Sequence, residues 1–151
     1  MRRHLFTAVL CLFASGSGLA GESAPADAAA VRVENAWVRQ PPPGAEVAAA
    51  YFTLRNAGRA PAVLDAVSSP LASQVMLHET TVVAGISRMR MLERLVIPAG
   101  GTVMLKPGAI HVMLHGLVKP LTVGQDVPLV LHFASGREIR VSAPVRPLGA
   151  S

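Results

Sequence analysis

Two histidines and two methionines, His78, Met89, His111 and Met113, stand in the order His-x10-Met-x21-His-x-Met. Imidazole nitrogen and thioether sulfur form a neutral, soft donor set. Such a set suits Cu(I) better than zinc, calcium or magnesium. The sole cysteine, Cys11, lies far from these residues, in an apolar run near the start of the chain. A blue-copper electron carrier needs a cysteine ligand, and the region holding the four candidates has none to supply it. The chemistry on offer is therefore binding and delivery of copper, with redox relay disfavoured. Each residue also has a plainer reading. A lone methionine in a strand is ordinarily core filler, a histidine beside a turn is ordinarily a polar surface residue, and His-x-Met is short enough to arise by chance. Spacing alone leaves both readings open.

The elements that must position these residues begin after an export signal. Arg2 and Arg3 form a basic start, Leu5 to Phe13 is apolar, and Gly18-Leu19-Ala20 provides small residues for cleavage, so residues 1–20 are read as a signal peptide. The apolar run is too short to span a bilayer. Leu10 occupies the place where a lipoprotein signal needs a small residue before its cysteine, which argues against lipidation of Cys11. Residues 21–30 are Ala-rich and read as a flexible lead-in, residues 31–147 as one domain, and residues 148–151 as a short tail. Without cysteine that domain cannot be held by disulfides, so its core must suffice. Two of the 14 basic residues fall in the signal, leaving 12 against 9 acidic ones and a net charge of +3. The remaining arginines are scattered without aromatic interleaving, which disfavours nucleic-acid binding.

From Val31 the chain reads as short strands separated by turn signals. Expected strands are 36–39, 48–56, 62–68, 75–81, 87–92, 102–106, 111–117, 127–133 and 138–145. Pro41-Pro42-Pro43-Gly44, Asn56-Ala57-Gly58, Ser69-Pro70, Pro98-Ala99-Gly100-Gly101, Pro107-Gly108, Lys119-Pro120 and Ser135-Gly136 separate them. No segment carries a sustained helical stripe. Many short strands at this spacing indicate an antiparallel sandwich or Greek-key barrel.

Taking Val82-Val83-Ala84-Gly85 as a four-residue hairpin loop sets His78 opposite Met89, Glu79 opposite Arg88, and Met76 opposite Met91. Directly opposed residues share a face, so His78 and Met89 could reach one ion. In His111-Val112-Met113-Leu114-His115, alternation places the two histidines of that run and Met113 on one face, with Val112 and Leu114 on the core face. His115 lies about 7 Å along the strand beyond Met113. That sets it outside the site framed by the four candidates, as a solvated neighbour. The sharper alternative is that it adds a nitrogen for Cu(II), the harder ion. Met104, between Val103 and Leu105, and His132, between Leu131 and Phe133, are not read as ligands, Met104 being taken as core filler.

The chain resembles the periplasmic copper chaperones of the PCu(A)C family, whose mark is the same His-x10-Met-x21-His-x-Met spacing. The resemblance extends through Asn35-Ala36-Trp37-Val38-Arg39, Pro41 to Gly44, Tyr51-Phe52-Thr53-Leu54, His78-Glu79, Ile97 to Val103, Leu105 to Gly108, His111 to Leu114, and Lys119-Pro120-Leu121. It covers about residues 33–146. It implies an all-β, cupredoxin-like Greek-key β-sandwich that binds one Cu(I) through His78, Met89, His111 and Met113. It also implies a periplasmic, non-enzymatic, non-membrane-spanning protein that supplies the copper A centre of cytochrome c oxidase, directly or through an assembly intermediary. Thr80 stands where the family often has methionine. His115 stands where it usually has methionine or an apolar residue. Residues 146–151 lack the His and Met that give some members a second copper site. Two other classes stay in view: a copper-dependent redox protein, and an immunoglobulin-like assembly module whose His and Met are incidental.

Overall fold

A computed structural model describes residues 30–149. The signal peptide and nearly all of the lead-in lie outside the described residues, as do Ala150 and Ser151. Ten strands follow one another: β1 (Val31–Arg39), β2 (Val47–Asn56), β3 (Ala62–Ser68), β4 (Ala72–Val83), β5 (Ile86–Leu92), β6 (Leu95–Ile97), β7 (Thr102–Leu105), β8 (Ile110–Leu117), β9 (Asp126–Phe133) and β10 (Glu138–Arg146). They pair in the order β5-β4-β8-β2-β1-β10-β9-β3-β6, with β7 also on β2. Every pairing is antiparallel except a short parallel seam, Val38 with Val145 and Arg39 with Arg146, that joins β1 to β10. The seam links two half-sheets, one from β5 to β1 and one from β10 to β6. The chain passes between the halves five times, at β2–β3, β3–β4, β5–β6, β6–β7 and β8–β9, in a Greek-key manner.

The core sits between the halves. Val38, Ala50, Leu54, Val112 and Leu114 from one, and Leu64, Ile97, Val127, Leu129, Leu131 and Ala143 from the other, are fully buried. Their alternation with more exposed neighbours is the period-2 pattern of sheets facing each other. Burying such side chains contributes roughly 1.5–3 kcal/mol each, so the domain holds together without a disulfide.

Two local devices decide what the outer face presents. In β1 the register with β2 slips by one residue between Glu34 and Trp37, and Asn35 takes φ 54°. Such a bulge inverts the alternation. Val31 and Val33 turn inward before it, whereas Trp37 turns outward after it, paired with Tyr51. The second device is the β4–β5 hairpin. Its turn is two residues, not four. Ala84 and Gly85 both have positive φ, 50° and 78°, the signature of a type I′ turn, whose twist matches that of the strands it joins. Val82 and Val83 therefore stay in the strand, opposite Ser87 and Ile86, where β-branched residues fit well.

This turn corrects the expected register by two residues. His78 opposes Met91 rather than Met89, Met89 opposes Thr80, and Glu79 opposes Arg90 rather than Arg88. The Glu79–Arg90 ion pair closes at 2.6 Å. A shift of two preserves faces, so Met76, His78, Met89 and Met91 still share one side. Other differences are small. The strand β6 was not expected, and β1 and β4 run longer than the sequence suggested.

Candidate metal centre

The site is assembled on the outer face of β5, β4 and β8. Val112 and Leu114 are fully buried on the core side of β8, which commits His111, Met113 and His115 to the opposite face. β8 pairs with β4 so that His78 directly opposes His111, Met76 opposes Met113, and Gln74 opposes His115. The His78 and His111 ring centroids are 5.9 Å apart. An imidazole nitrogen sits about 2.0–2.1 Å from a bound ion, so a ring centroid lies roughly 3.2 Å away and two rings on one ion are at most about 6.4 Å apart. His78 and His111 meet that limit.

His111 is 6% exposed. Its Nδ1 lies 3.0 Å from the Ala109 carbonyl oxygen, so Nδ1–H donates to that oxygen and Nε2 is left as the free ligand atom. Holding one ring nitrogen this way fixes tautomer and orientation for a metal on the other. The Ala109 carbonyl oxygen also accepts from the Thr80 backbone N–H at 3.1 Å, pinning the β7–β8 turn to the hairpin. On the far side Tyr51 lies 6.5 Å from the His111 ring and 4.6 Å from Trp37. Arg39 and Arg146 lie against the Trp37 ring, at 5.8 and 5.3 Å. Burial holds the Tyr51 hydroxyl above its ordinary pKa, against the opposing effect of Arg39, so it is a neutral neighbour at pH 7.

His78 is the hinge of the cluster. Burial first, and then the nearby His111 and His115, lower its pKa below the ordinary histidine value. Its Nδ1 is buried and has no hydrogen-bond partner among the described residues. A neutral, unprotonated imidazole with an unpaired nitrogen is the form a metal requires.

Of the four expected ligands, the structure brings His78 and His111 together and places Met113 on the same face of β8. Met89 lies on that face too, one pair nearer the hairpin tip than His78. Its distance from His78 is that of a diagonal cross-strand neighbour, about 7–8 Å between backbones, still within reach of a long side chain. Met91, which sequence reasoning paired with Met76, is the thioether directly across from His78. Met89 and Met91 are 54% and 59% exposed, where a core filler would be buried. Two residues differ from expectation. The His115 ring stands 6.2 Å from that of His78, edge-on at 86°, because the approach comes from the neighbouring strand and not along β8. Met104 is exposed on β7 rather than packed. His132 is engaged elsewhere, with Ser68 Oγ at 2.8 Å and Glu138 at 3.1 Å.

No group of three or more His, Cys, Asp or Glu side chains among the described residues is arranged to hold a metal. An ion at this face would need sulfur. Nor is any described helix long and apolar enough to cross a membrane.

Comparison with known proteins agrees with this architecture. Residues 31–145 match the family described as "LpqE-like: Putative lipoprotein LpqE-like". The chain is 37% identical over 117 residues to "Putative lipoprotein Lxx21020" of Leifsonia xyli subsp. xyli, covering 77% of this chain and 69% of that protein. Among solved structures, Cu(I)-DR1885 of Deinococcus radiodurans is 38% identical with a TM-score of 0.64, covering 84% of this chain and 83% of that one. The copper-bound PCuAC domain of PmoF2 is 25% identical with a TM-score of 0.67, covering 78% and 93%. The likeness is to a cupredoxin-like binding domain and not to an enzyme. The chain thus belongs to the LpqE-like family and, with it, to the PCu(A)C proteins.

Proposed function

We propose that this protein is an exported Cu(I) chaperone that carries one ion on the outer face of β4, β5 and β8 and surrenders it to the copper A centre of cytochrome c oxidase, directly or through an assembly intermediary. The observation that carries the reading is the direct cross-strand pair His78–His111, with ring centroids 5.9 Å apart, on a face shared with Met89 and Met113. The ligands are taken to be His78, Met89, His111 and Met113. Relatives solved with copper bound support the cargo, and relatives described as lipoproteins support a place in the cell envelope. For this chain the signal-peptide reading favours a free periplasmic protein, since Leu10 precedes Cys11.

The chemistry follows from the donors. Neutral imidazole and thioether hold Cu(I) without the strength of thiolate capture. His111 is anchored by its bond to the Ala109 carbonyl oxygen, while the methionines of the edge strand β5 are mobile by side-chain type. An incoming cysteine thiolate can displace the exposed thioethers first and the imidazoles last, so the ion is never bare.

An anaerobic Cu(I) titration against a chromophoric chelator, with X-ray absorption to count neighbours, tests the reading. One tightly held ion with two sulfur and two nitrogen neighbours is expected. A first shell of nitrogen and oxygen alone, or no Cu(I) binding at any competitor strength, overturns it.

A further inference from the structure

Three histidines share the face described above, and only two of them belong to the proposed ligand set. His115 is placed by the same alternation that places His111 and Met113. Its Nε2 is buried and has no hydrogen-bond partner among the described residues, and the same is true of His78 Nδ1. An unpaired buried ring nitrogen is costly, and two of them on neighbouring rings require a common explanation. The His78–His115 centroid distance, 6.2 Å, falls inside the limit of about 6.4 Å for two imidazoles on one ion, as the His78–His111 distance does. Between the level of His78/His111 and that of Gln74/His115 lies the pair Met76/Met113, which sets thioethers beside both imidazole pairs.

We propose that His78 is a pivot and that the face holds a second position for the same soft monovalent ion, formed by His78, His115 and Met76. This rests on the reading of His78 and His111 as Cu(I) ligands. The ion passes between positions by ligand exchange without change of oxidation state. The bond to His111 breaks as the bond to His115 forms, and His78 stays bound. The second position is the more open one: His111 is buried, whereas His115 and Met76 are half-buried. The cargo therefore has an inner resting place and an outer place from which a partner takes it.

The test measures Cu(I) and Ag(I) affinity of the purified protein by anaerobic chelator competition, for the unmodified protein, His111→Ala, His115→Ala and His111→Ala/His115→Ala. Circular dichroism confirms folding of each. With the inner position removed, the outer one should still hold the ion, so the double variant should bind at least about tenfold more weakly than His111→Ala, a difference of about 1.4 kcal/mol. X-ray absorption on His111→Ala should still count two nitrogen neighbours, and on the double variant one. Equal affinities for the single and double variants overturn the second position. An undiminished affinity in His111→Ala overturns instead the underlying reading of His111 as a ligand. Because His111 is buried and its alanine variant is at risk of misfolding, the same comparison is made with His111→Gln and His111→Gln/His115→Ala. There a loss on removing His115 supports the proposal and no loss overturns it.

Discussion

Gly116 separates His115 from the last residue of β8, and replacing it with alanine should unsettle that end of the site by a calculable amount. Gly116 has φ +59°, the left-handed region, which costs an L-residue roughly 1–2 kcal/mol. A Cβ built there would lie 2.1 Å from Ser73 Oγ and 3.1 Å from Ser73 Cβ. The hydroxyl can rotate away, but it now donates to the His115 carbonyl oxygen at 3.2 Å. Losing that exposed bond costs about 0.5–1 kcal/mol, and the Cβ–Cβ approach stays tight. The total for Gly116→Ala is about 1.5–3 kcal/mol, the sum of the two terms. In a domain of this size that lowers Tm by roughly 5–15 °C. Urea unfolding followed by circular dichroism measures it. Adding Ser73→Ala to the Gly116→Ala background removes the hydroxyl and with it the same hydrogen bond, so the double variant should be about as destabilised as Gly116→Ala alone. A loss below about 0.5 kcal/mol in Gly116→Ala would show that β8 does not take this backbone path.

Three further outcomes are expected. Ala84→Asn should stabilise the protein by about 0.5–1 kcal/mol, because Asn accepts the left-handed conformation that Ala84 holds in the type I′ turn; no gain in a thermal melt would favour the four-residue loop and its register. Met89→Leu should reduce Cu(I) affinity in chelator competition more than Met91→Leu does, volume being conserved in both; the reverse order would make Met91, directly across from His78, the ligand. The lowered pKa of His78 means that the unfolded chain binds a proton there before the folded one does. Its contribution to stability is thus fully present above about pH 6.5 and lost as pH falls through the folded value, and Cu(I) affinity should decline over the same acidic range. Denaturant melts from neutral to acid pH should show this slope in the unmodified protein and a shallower one in His78→Gln; identical slopes would refute it.

Much of the fold was legible because its signals are local. The segment 62–68 is bounded by Pro and Ser-Pro and matches β3 at both ends. Val112 and Leu114 announce the core face of β8, and with it the side on which His111, Met113 and His115 stand. The misses came where geometry and not residue type decides. The bulge at Asn35 breaks the alternation that would have extended β1 back to Val31. The three residues of β6 are too few to show a period. A four-residue hairpin loop is what the sequence 82–85 suggests, yet the positive φ of Ala84 and Gly85 makes two residues suffice and returns Val82 and Val83 to the strand. The pairing of His78 with His111 joins residues 33 apart in the chain, and only the order of strands in the sheet creates it. The motif spacing hinted at this partnership through the family resemblance, but no local pattern could. The approach of His115 to His78 had no sequence signal beyond its parity on β8.

The exposure of Met89 and Met91 on an edge strand has a chemical cost. A thioether in open water is the side chain peroxide attacks, and the product, methionine sulfoxide, presents a hard polar oxygen in place of soft sulfur. Oxidant and cargo would compete for the same lone pairs. An empty carrier would be open to inactivation by a reagent that a loaded one resists, and recovery would depend on enzymatic reduction of the sulfoxide in the compartment where the protein works.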